Sequence, residues 1–277
     1  MTAYGKIAHP VLSPELLALV RDGQVYSLQQ VLHQRAPVTA NHVPLTMLSS
    51  VRHGDAAGSF AGGGIADDML IMSQHTGTHV DALCHVHRRR GEQRVLFGDV
   101  DALSAQGDCG YTSLGVERMP PVVARGVLLD IPKLLGCHVV ADEFKITSGL
   151  LDECTRTQKI HLNQGDCVLL RTGIGGLWDD DPERVLGNSP GIDLSAARWL
   201  VERGAVLVGS DTTAVEVLPS PGLAVHLLLM VDFGVPLVEC LNLEELARDG
   251  KWEFLFIMCP LKLAGFTGSV VNPLAIT

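Results

Sequence analysis

The stretch from residue 75 to residue 85 contains the side chains of this chain that are best suited to metal binding and catalysis. It reads His75-Thr-Gly-Thr-His79-Val-Asp81-Ala-Leu-Cys-His85, three imidazoles and one carboxylate within eleven residues. Imidazole and carboxylate are ligands of zinc, manganese and iron, and three protein ligands leave a coordination position open for water. A metal ion held in this way lowers the pKa of bound water from about 15.7 to about 7. The motif therefore predicts a metal site that supports hydrolysis.

The spacing of the motif constrains the backbone that carries it. Successive side chains of a strand point to opposite faces, so His79 and Asp81 share a face at about 7 Å. His75 and His79 would lie about 13 Å apart in one straight strand, too far to share an ion. We therefore expect a bend at Gly77, because glycine readily adopts positive φ. The alternative, a helical turn, is disfavoured by the threonines, glycine and valine of this stretch. A structural cluster of histidines without a metal is the non-functional interpretation.

Composition limits the classes of protein that fit the chain. The 277 residues carry a formal net charge of −10 and only 21 lysines and arginines, which argues against binding of nucleic acid. The 47% hydrophobic content is sufficient for a buried core. No apolar run reaches the roughly 18 residues that a membrane helix requires. Seven irregularly spaced cysteines without a signal peptide predict reduced thiols and a cytoplasmic location.

Strand and helix patterns alternate along much of the chain. Apolar runs predict buried strands over residues 126–130, 166–171, 205–211 and 251–258, and amphipathic patterns predict helices over residues 147–158 and 193–202. This alternation predicts an α/β fold with a mixed sheet. Because no linker divides the sequence, residues 1–277 are expected to form a single domain. Ser13 and Pro14 resemble a helix start, which predicts an N-terminal helical extension over about residues 1–45.

Other candidate site residues lie outside the first motif. His226 stands in an apolar run that predicts a helix, and Glu239 in one that predicts a strand. A lone histidine in an apolar run is more often a hydrogen-bonded core residue, whereas an unpaired glutamate is costly to bury. Asp211 ends a predicted strand and is either a helix cap or a site residue. The glycine-rich segment over residues 53–66 predicts a mobile loop near the site.

The first motif resembles that of the metal-dependent cyclase superfamily, which includes bacterial kynurenine formamidase and isatin hydrolase. The family pattern is His-x-Gly-Thr-His-x-Asp-x-Pro-x-His, from which this chain departs at Leu83, where the family commonly has proline. Further similar segments follow in the expected order, at residues 125–130, 165–173, 190–191 and 209–212, then at His226 and Glu239. The resemblance covers about residues 70–245.

This resemblance implies a fold and roles for individual residues. It implies a barrel-like mixed β-sheet flanked by helices, in a homodimer or homotetramer. The implied metal ligands are His75, His79, Asp81, His226 and Glu239. Asp81 would bridge two ions, Zn²⁺ or Mn²⁺, and His85 would be the catalytic residue that moves protons. Sites with one ion and with two ions both remain open.

The sequence therefore predicts a metal-dependent hydrolase that cleaves a C–N amide bond in a small-molecule substrate, such as an aryl-formamide, a lactam or a cyclic imide. The alternative is a cyclase or dehydratase that uses the metal as a Lewis acid on a polyketide or sugar acid. A non-haem iron redox enzyme has the same ligand types. A catalytically silent metal-binding scaffold is the non-enzymatic alternative. Cys84 could act as a nucleophile, but its neighbour His85 points to the other side of a strand.

Overall fold

A nine-stranded mixed sheet organises the protein in the computed structural model, which describes residues 4–277. Shorter two-stranded ribbons surround this sheet. The strands are β1 (Val25–Ser27), β2 (Thr46–Val51), β3 (Ser59–Phe60), β4 (Gly63–Gly64), β5 (Asp67–Ile71), β6 (His79–Asp81), β7 (Arg88–Arg90), β8 (Gln93–Val95), β9 (Gln106–Gly107), β10 (Gly110–Tyr111), β11 (Val122–Asp130), β12 (Lys145–Ile146), β13 (Cys167–Arg171), β14 (Gly191–Ile192), β15 (Leu207–Ser210), β16 (Leu237–Glu239), β17 (Glu253–Met258), β18 (Gly268–Val270) and β19 (Leu274–Ile276).

The helices are short and lie between the strands. The α-helices are α1 (Pro14–Leu17), α2 (Ile131–Leu135), α3 (Ser148–Gln158), α4 (Pro182–Val185), α5 (Leu194–Glu202), α6 (Ala224–His226) and α7 (Glu244–Arg248). A π-helix continues α6 over Leu227–Asp232, and single 3₁₀ turns occur at Ala56–Gly58, Phe97–Asp99, Val116–Arg118 and Ile174–Leu177. Within residues 4–277, no helix combines the length and the apolar character needed to cross a bilayer.

The order of strands in the large sheet is β1-β19-β17-β11-β13-β15-β16-β6-β18. The pairs β11–β13, β13–β15 and β15–β16 are parallel, and the remaining pairs are antiparallel. The sheet curls into a half-barrel with helices against it. The predicted α/β fold with a barrel-like mixed sheet is thereby confirmed.

The four predicted strands and the two predicted helices form the centre of the domain. The strands appear as β11, β13, β15 and β17, whose apolar side chains are almost entirely buried. Helices α3 and α5 begin after Thr147 and Asp193, whose side-chain oxygens accept hydrogen bonds from the backbone N–H groups of Leu150 and Ala196. Such caps satisfy donors that a helix start leaves unpaired, which explains why these boundaries were readable from the sequence.

The N-terminal region differs from the prediction. Ser13 caps α1 as expected, but the helix ends at Leu17, and the rest of the extension predicted over residues 1–45 is not helical where it is described. Residues 1–3 of that extension lie outside the described residues. Val25 lies opposite Ile276 because β1 pairs with β19 at the sheet edge. Tertiary strand pairing, which favours the β-branched and aromatic residues of β1, overrides the weak helical pattern.

The glycine-rich segment belongs to a β-hairpin rather than to a loop at the site. Strands β2 and β5 pair with Thr46 opposite Ile71, and β3 and β4 form the ribbon within them. We call residues 46–71 the hairpin arm. No residue of the segment 53–66 lines the site cavity described below. The predicted position of this segment near the site is therefore wrong, because its flanks pair with each other as the strands β2 and β5.

Candidate active site

The first motif bends where predicted and then enters the sheet. Gly77 has φ +64°, and a Cβ atom there would lie 2.6 Å from Cδ2 of Leu32, so both the conformation and the space favour glycine. The chain then forms β6 between β16 and β18. In this register His79 lies opposite Glu239, and Asp81 lies opposite Gly268. The hydrogen-bonding pattern of three strands therefore fixes where the polar side chains of the motif meet the rest of the site.

The structure brings five of the predicted site residues together in two groups that share Asp81. In the first donor group, Nδ1 of His75 and Nε2 of His79 lie 2.8 Å and 3.4 Å from Oδ1 of Asp81. In the second donor group, Nε2 of His226 lies 3.2 Å from Oε1 of Glu239 and 3.9 Å from Oδ2 of Asp81. Within each group one ligand atom per residue lies within 4.8 Å of the others. Each group could hold a metal ion.

The donor atoms face one another at 2.8–3.9 Å. Nδ1 of His75, both carboxylate oxygens of Asp81 and Oε1 of Glu239 are buried and have no hydrogen-bond partner in the part of the chain that the structure describes. Leaving buried carboxylate oxygens unpaired is costly. Imidazole nitrogens and carboxylate oxygens that converge in this way can act as ligands around a cation. The residues therefore fit one or two divalent ions.

Hydrogen bonds behind the imidazoles fix which nitrogen each presents to the carboxylates. Nδ1 of His79 lies 2.8 Å from the carbonyl oxygen of Gly77, to which it donates. Nδ1 of His226 lies 2.5 Å from Oε1 of Glu216, which is also buried. In both rings Nε2 is therefore directed towards the donor groups. Such outer hydrogen bonds orient metal-binding imidazoles and raise their basicity.

The buried charges shift the pKa values of the cluster strongly. Burial opposes the charged imidazoles, but hydrogen bonds and the negative carboxylates raise the pKa of His79 to about 9 and that of His226 to about 10. Burial also opposes ionisation of Asp81, yet the neighbouring imidazoles hold the pKa of its carboxyl well below the usual value. Protons on the imidazoles therefore balance the buried carboxylates when no cation is bound.

His85 lies beside the first donor group but belongs to neither group. Its ring stacks on that of His75, with centroids 4.1 Å apart and planes tilted by 29°. Burial is the main reason why the pKa of His85 falls to about 4, so the ring is neutral near pH 7. His75 is held from behind by the hydroxyl of Thr267, 2.9 Å from Nε2. The neutral ring of His85 therefore lies against a residue of the first donor group.

A cavity of about 340 Å³ opens next to the two donor groups. It is lined by Pro37, Val38, Thr39, Asn41, His42, His75, Gly77, His79, His85, Leu186, Thr213, Ala214, Leu218, Leu223, His226, Glu239 and Cys240. A volume of this size is at the lower end for pockets that bind small molecules. Apolar side chains and the polar groups of the site both line this space, an arrangement that suits a small organic substrate.

Two other candidates from the sequence are not part of the site. Asp211 accepts hydrogen bonds from the backbone N–H groups of Thr172 and Gly173, and so it supports the turn after β13 and is neither a helix cap nor a member of the donor groups. Cys84 is buried, and burial raises the pKa of its thiol to about 12. A thiol that stays protonated is a poor nucleophile, which argues against the cysteine alternative.

Sequence reasoning missed three residues of the site: His42, Glu216 and Thr267. Glu216 and Thr267 contact the ligands from behind, and His42 lines the cavity on a segment far from the motif in sequence. The sequence offered one signal for Glu216, an acidic residue in the predominantly apolar stretch 214–218. His42 and Thr267 carried no signal, because only the tertiary fold brings them to the motif.

Comparison with known families assigns most of the chain to one family. The cyclase family model, described as "Putative cyclase", matches residues 9–217, well over half of the chain. The protein belongs to the cyclase family. The matched range includes the complete first motif but ends before His226 and Glu239. The second donor group is therefore defined by the geometry of this structure.

Several relatives and solved structures are similar to this chain. A kynurenine formamidase of Bacillus thuringiensis subsp. konkukian is 28% identical over 203 residues, which are 73% of this chain and 76% of the relative. A kynurenine formamidase of Bacillus anthracis is 27% identical over the same shares. The crystal structure of a novel cyclase aligns with a TM-score of 0.85 at 29% identity, over 96% of this chain and 92% of the other. Isatin hydrolase A from Ralstonia solanacearum shares the fold, with a TM-score of 0.70 at 22% identity over 96% and 97%.

Proposed function

We propose that this protein is a metal-dependent hydrolase that cleaves a C–N amide bond in a small aryl-formamide, lactam or cyclic imide. One observation carries the proposal: two donor groups that share Asp81 converge beside the neutral imidazole of His85 at one cavity. The relatives named as kynurenine formamidases support a hydrolase that acts on C–N bonds other than peptide bonds. Isatin hydrolase A shares the fold of this protein.

The proposed cofactor is Zn²⁺ or Mn²⁺, as one or two ions. His75, His79 and Asp81 would hold the first ion, and Asp81, His226 and Glu239 the second. A bound divalent ion supplies a Lewis acid that polarises a carbonyl group and lowers the pKa of water. Imidazole with carboxylate suits both metals, and the mixed ligand set does not select between them.

His85 is the proposed catalytic residue. It would accept a proton from the attacking water and pass it to the departing nitrogen of the amide. The position of the ring supports this role, because it lines the cavity and stacks on His75. The negative charge of Asp81 favours the protonated ring that forms during the transfer. A positioned group of this kind contributes about 10²–10⁴-fold to the rate.

The test combines metal analysis with a substrate panel. Protein purified without chelator is analysed for bound metals and incubated with N-formylkynurenine, isatin and several cyclic imides. We expect amide hydrolysis that EDTA abolishes and that Zn²⁺ or Mn²⁺ restores. Metal-loaded protein that hydrolyses none of these amides would contradict the proposal. A dehydrated or cyclised product from a polyketide or sugar acid would favour the cyclase alternative.

We also propose that the chain forms a homodimer or homotetramer through the hairpin arm. Leu48, Met69 and Leu70 on the arm are 48–53% exposed, and an isolated two-stranded hairpin is marginally stable in water. Arg52 and Asp68 line the same groove as these apolar side chains. Two copies related by a two-fold axis could therefore pair each Arg52 with the partner's Asp68.

Sedimentation velocity tests this assembly. We expect the wild-type chain to sediment as a dimer or tetramer and Leu70→Asp to sediment as a monomer. Leu103→Asp is the matched control, because Leu103 is 54% exposed, against 48% for Leu70, and lies outside the arm. A monomeric wild-type chain, or an oligomer that Leu70→Asp leaves intact, would contradict the proposed interface.

A further inference from the structure

A short turn carries the chain from Asp81 of the first motif to His85. Leu83 and Cys84 are its central residues, and a hydrogen bond of 2.8 Å from the backbone N–H of His85 to the carbonyl oxygen of Ala82 closes it. Leu83 therefore occupies the second position of a four-residue β-turn. It is fully buried, and it is also the position at which this chain departs from the family pattern. The conformation of this turn determines where the ring of His85 lies.

The backbone N–H of Leu83 is buried with its residue and needs a partner inside the protein. It donates a hydrogen bond of 2.8 Å to the hydroxyl of Tyr4, 79 positions earlier in the chain. The same hydroxyl donates a hydrogen bond of 2.6 Å to the carbonyl oxygen of Leu114. Burial raises the pKa of Tyr4, so the hydroxyl keeps its proton near pH 7 and can make both bonds. Because a buried N–H without a partner is costly, Tyr4 stabilises this form of the turn.

The segment that carries Tyr4 is held in place independently of its hydroxyl. The backbones of Tyr4 and Ile7 exchange two hydrogen bonds of 2.9 Å, and both side chains are buried. Gly5 has φ +58°, and a Cβ atom there would lie 2.8 Å from Cδ1 of Leu83, so the segment packs closely against the turn. Removal of the hydroxyl alone should leave this packing intact. The variant Tyr4→Phe therefore tests what the hydroxyl itself does.

We propose that Tyr4 is a positioning residue for His85, because its hydroxyl takes up the buried N–H of Leu83 and thereby fixes the turn that presents the imidazole to the cavity. Tyr4 belongs to neither donor group and lies outside residues 9–217, the range that the family model matches. The inference rests on the proposed catalytic role of His85. The ring of His85 stacks on that of His75, with centroids 4.1 Å apart, so a displaced turn would change both its reactive geometry and its magnetic environment.

Kinetics and NMR spectroscopy of Tyr4→Phe test this role. Hydrolysis is measured with N-formylkynurenine, isatin and the cyclic imides. We expect kcat to fall about ten- to a hundredfold, since misplacement of a reacting group by about 1 Å can cost about 10²-fold. KM should change by less than about twofold, because substrate binding does not use the turn. In protein labelled with [¹³C]histidine and supplied with Zn²⁺, the His85 resonance should shift, its assignment coming from its loss in His85→Gln.

Tyr26→Phe is the matched control. Tyr26 and Tyr4 are both 5% exposed, and the hydroxyl of Tyr26 likewise lies within hydrogen-bond distance of two partners, Gln24 and Asp249. Tyr26 belongs to β1, at the far edge of the sheet from β6. We expect the two variants to lower the melting temperature by similar amounts. Only Tyr4→Phe should lower kcat and move the His85 resonance.

A proline at position 83 provides a rescue. Proline at the second position of a turn fixes φ and has no N–H that needs a partner. Leu83→Pro alone places a ring carbon against the hydroxyl of Tyr4, and we expect it to lower kcat as well. The double variant Tyr4→Phe/Leu83→Pro has neither the hydroxyl nor the unpaired N–H. Its kcat should recover about tenfold relative to Tyr4→Phe, because the two changes are coupled.

The outcomes separate positioning from general damage. If Tyr4→Phe leaves kcat and the His85 resonance at wild-type values, or if Tyr26→Phe lowers kcat equally, Tyr4 does not position His85. A double variant that is folded, as judged by its melting temperature, yet no more active than Tyr4→Phe would also overturn the proposal. If the double variant does not fold, the comparison of Tyr4→Phe with Tyr26→Phe decides. If the wild-type protein hydrolyses no probe, the proposed function fails, and the His85 resonance alone decides whether Tyr4 positions the ring.

Discussion

The carboxylate of Glu216 lies directly behind His226. Its Oε1 atom is 2.5 Å from Nδ1 of the ring and 3.0 Å from the backbone nitrogen of the same residue. The hydroxyl of Ser220 also donates to this carboxylate. One buried acid therefore fixes both the ring and the backbone that carries it. This relationship makes Glu216 a positioning residue for the second donor group.

Replacement of Glu216 should weaken the binding of the second ion selectively. We expect Glu216→Gln to lower the affinity for the second ion about 10–100-fold, because outer hydrogen bonds orient the ligand ring. The first ion, held by His75, His79 and Asp81, should change little. Competition with a chromophoric chelator measures each affinity, and Glu183→Gln on α4 serves as the control. Equal loss of both ions would instead assign Glu216 a role in holding the fold.

His85 and Asp81 should respond differently to truncation. His85→Ala is expected to reduce kcat about 10²–10⁴-fold while the metal content stays at the wild-type level. Asp81→Ala should remove metal and activity together, since both donor groups share this carboxylate. Elemental analysis alongside kinetics separates the two outcomes. The exposed neighbour His87 provides the control variant His87→Ala. Loss of metal from His85→Ala would make His85 a ligand.

Gly268 should tolerate no side chain. A Cβ atom there would lie 2.7 Å from Cε1 of His75 and 2.9 Å from the carbonyl oxygen of Val80. Gly268→Ala is therefore expected to displace the His75 ring and to lower the affinity for the first ion at least about tenfold. Gly149→Ala is the matched control because its nearest neighbour atom is 3.9 Å away and alanine favours the helix. Isothermal titration with Zn²⁺ measures both, and unchanged binding in Gly268→Ala would refute the contact.

Metal binding should release protons and strengthen as the pH rises. The imidazoles of His79 and His226 have pKa values of about 9 and 10, so at pH 7 both are protonated in the metal-free protein. Metal ligation requires the neutral ring, and affinity therefore rises about tenfold per pH unit for each proton released, up to those pKa values. Calorimetry in buffers with different ionisation enthalpies counts the protons. Binding without proton release, or affinity that falls between pH 6 and 8, would contradict this assignment.

The parts of the structure that could be predicted from the sequence are those that depend on residues close together in the chain. His75, Gly77, His79 and Asp81 are contiguous, and strand geometry with one bend predicts that they meet. The buried strands and capped helices were likewise visible in local patterns. The convergence of His226 and Glu239 with the motif was implied only by resemblance, because an apolar run does not reveal what its single polar residue faces.

The predictions that were wrong and the site residues that were missed have a common physical cause. Val25–Ser27 forms a strand because it meets the distant Leu274–Ile276, and local propensity does not report such a partner. Asp211 satisfies backbone donors of a turn that lies about forty positions earlier in the chain. Thr39 and His42 reach the cavity through a turn with no recognisable motif. In each case the deciding contact is long-range.

The register of β6 has a consequence for the stability of the sheet itself. His79 and Glu239 face each other across β6 and β16, while Asp81 faces β18. These three strands have only three residues each and end one side of the sheet. A cation bound by side chains of both β6 and β16 would link the two strands and hold their register. Amide exchange in β6 and β16 should therefore slow when the ion binds.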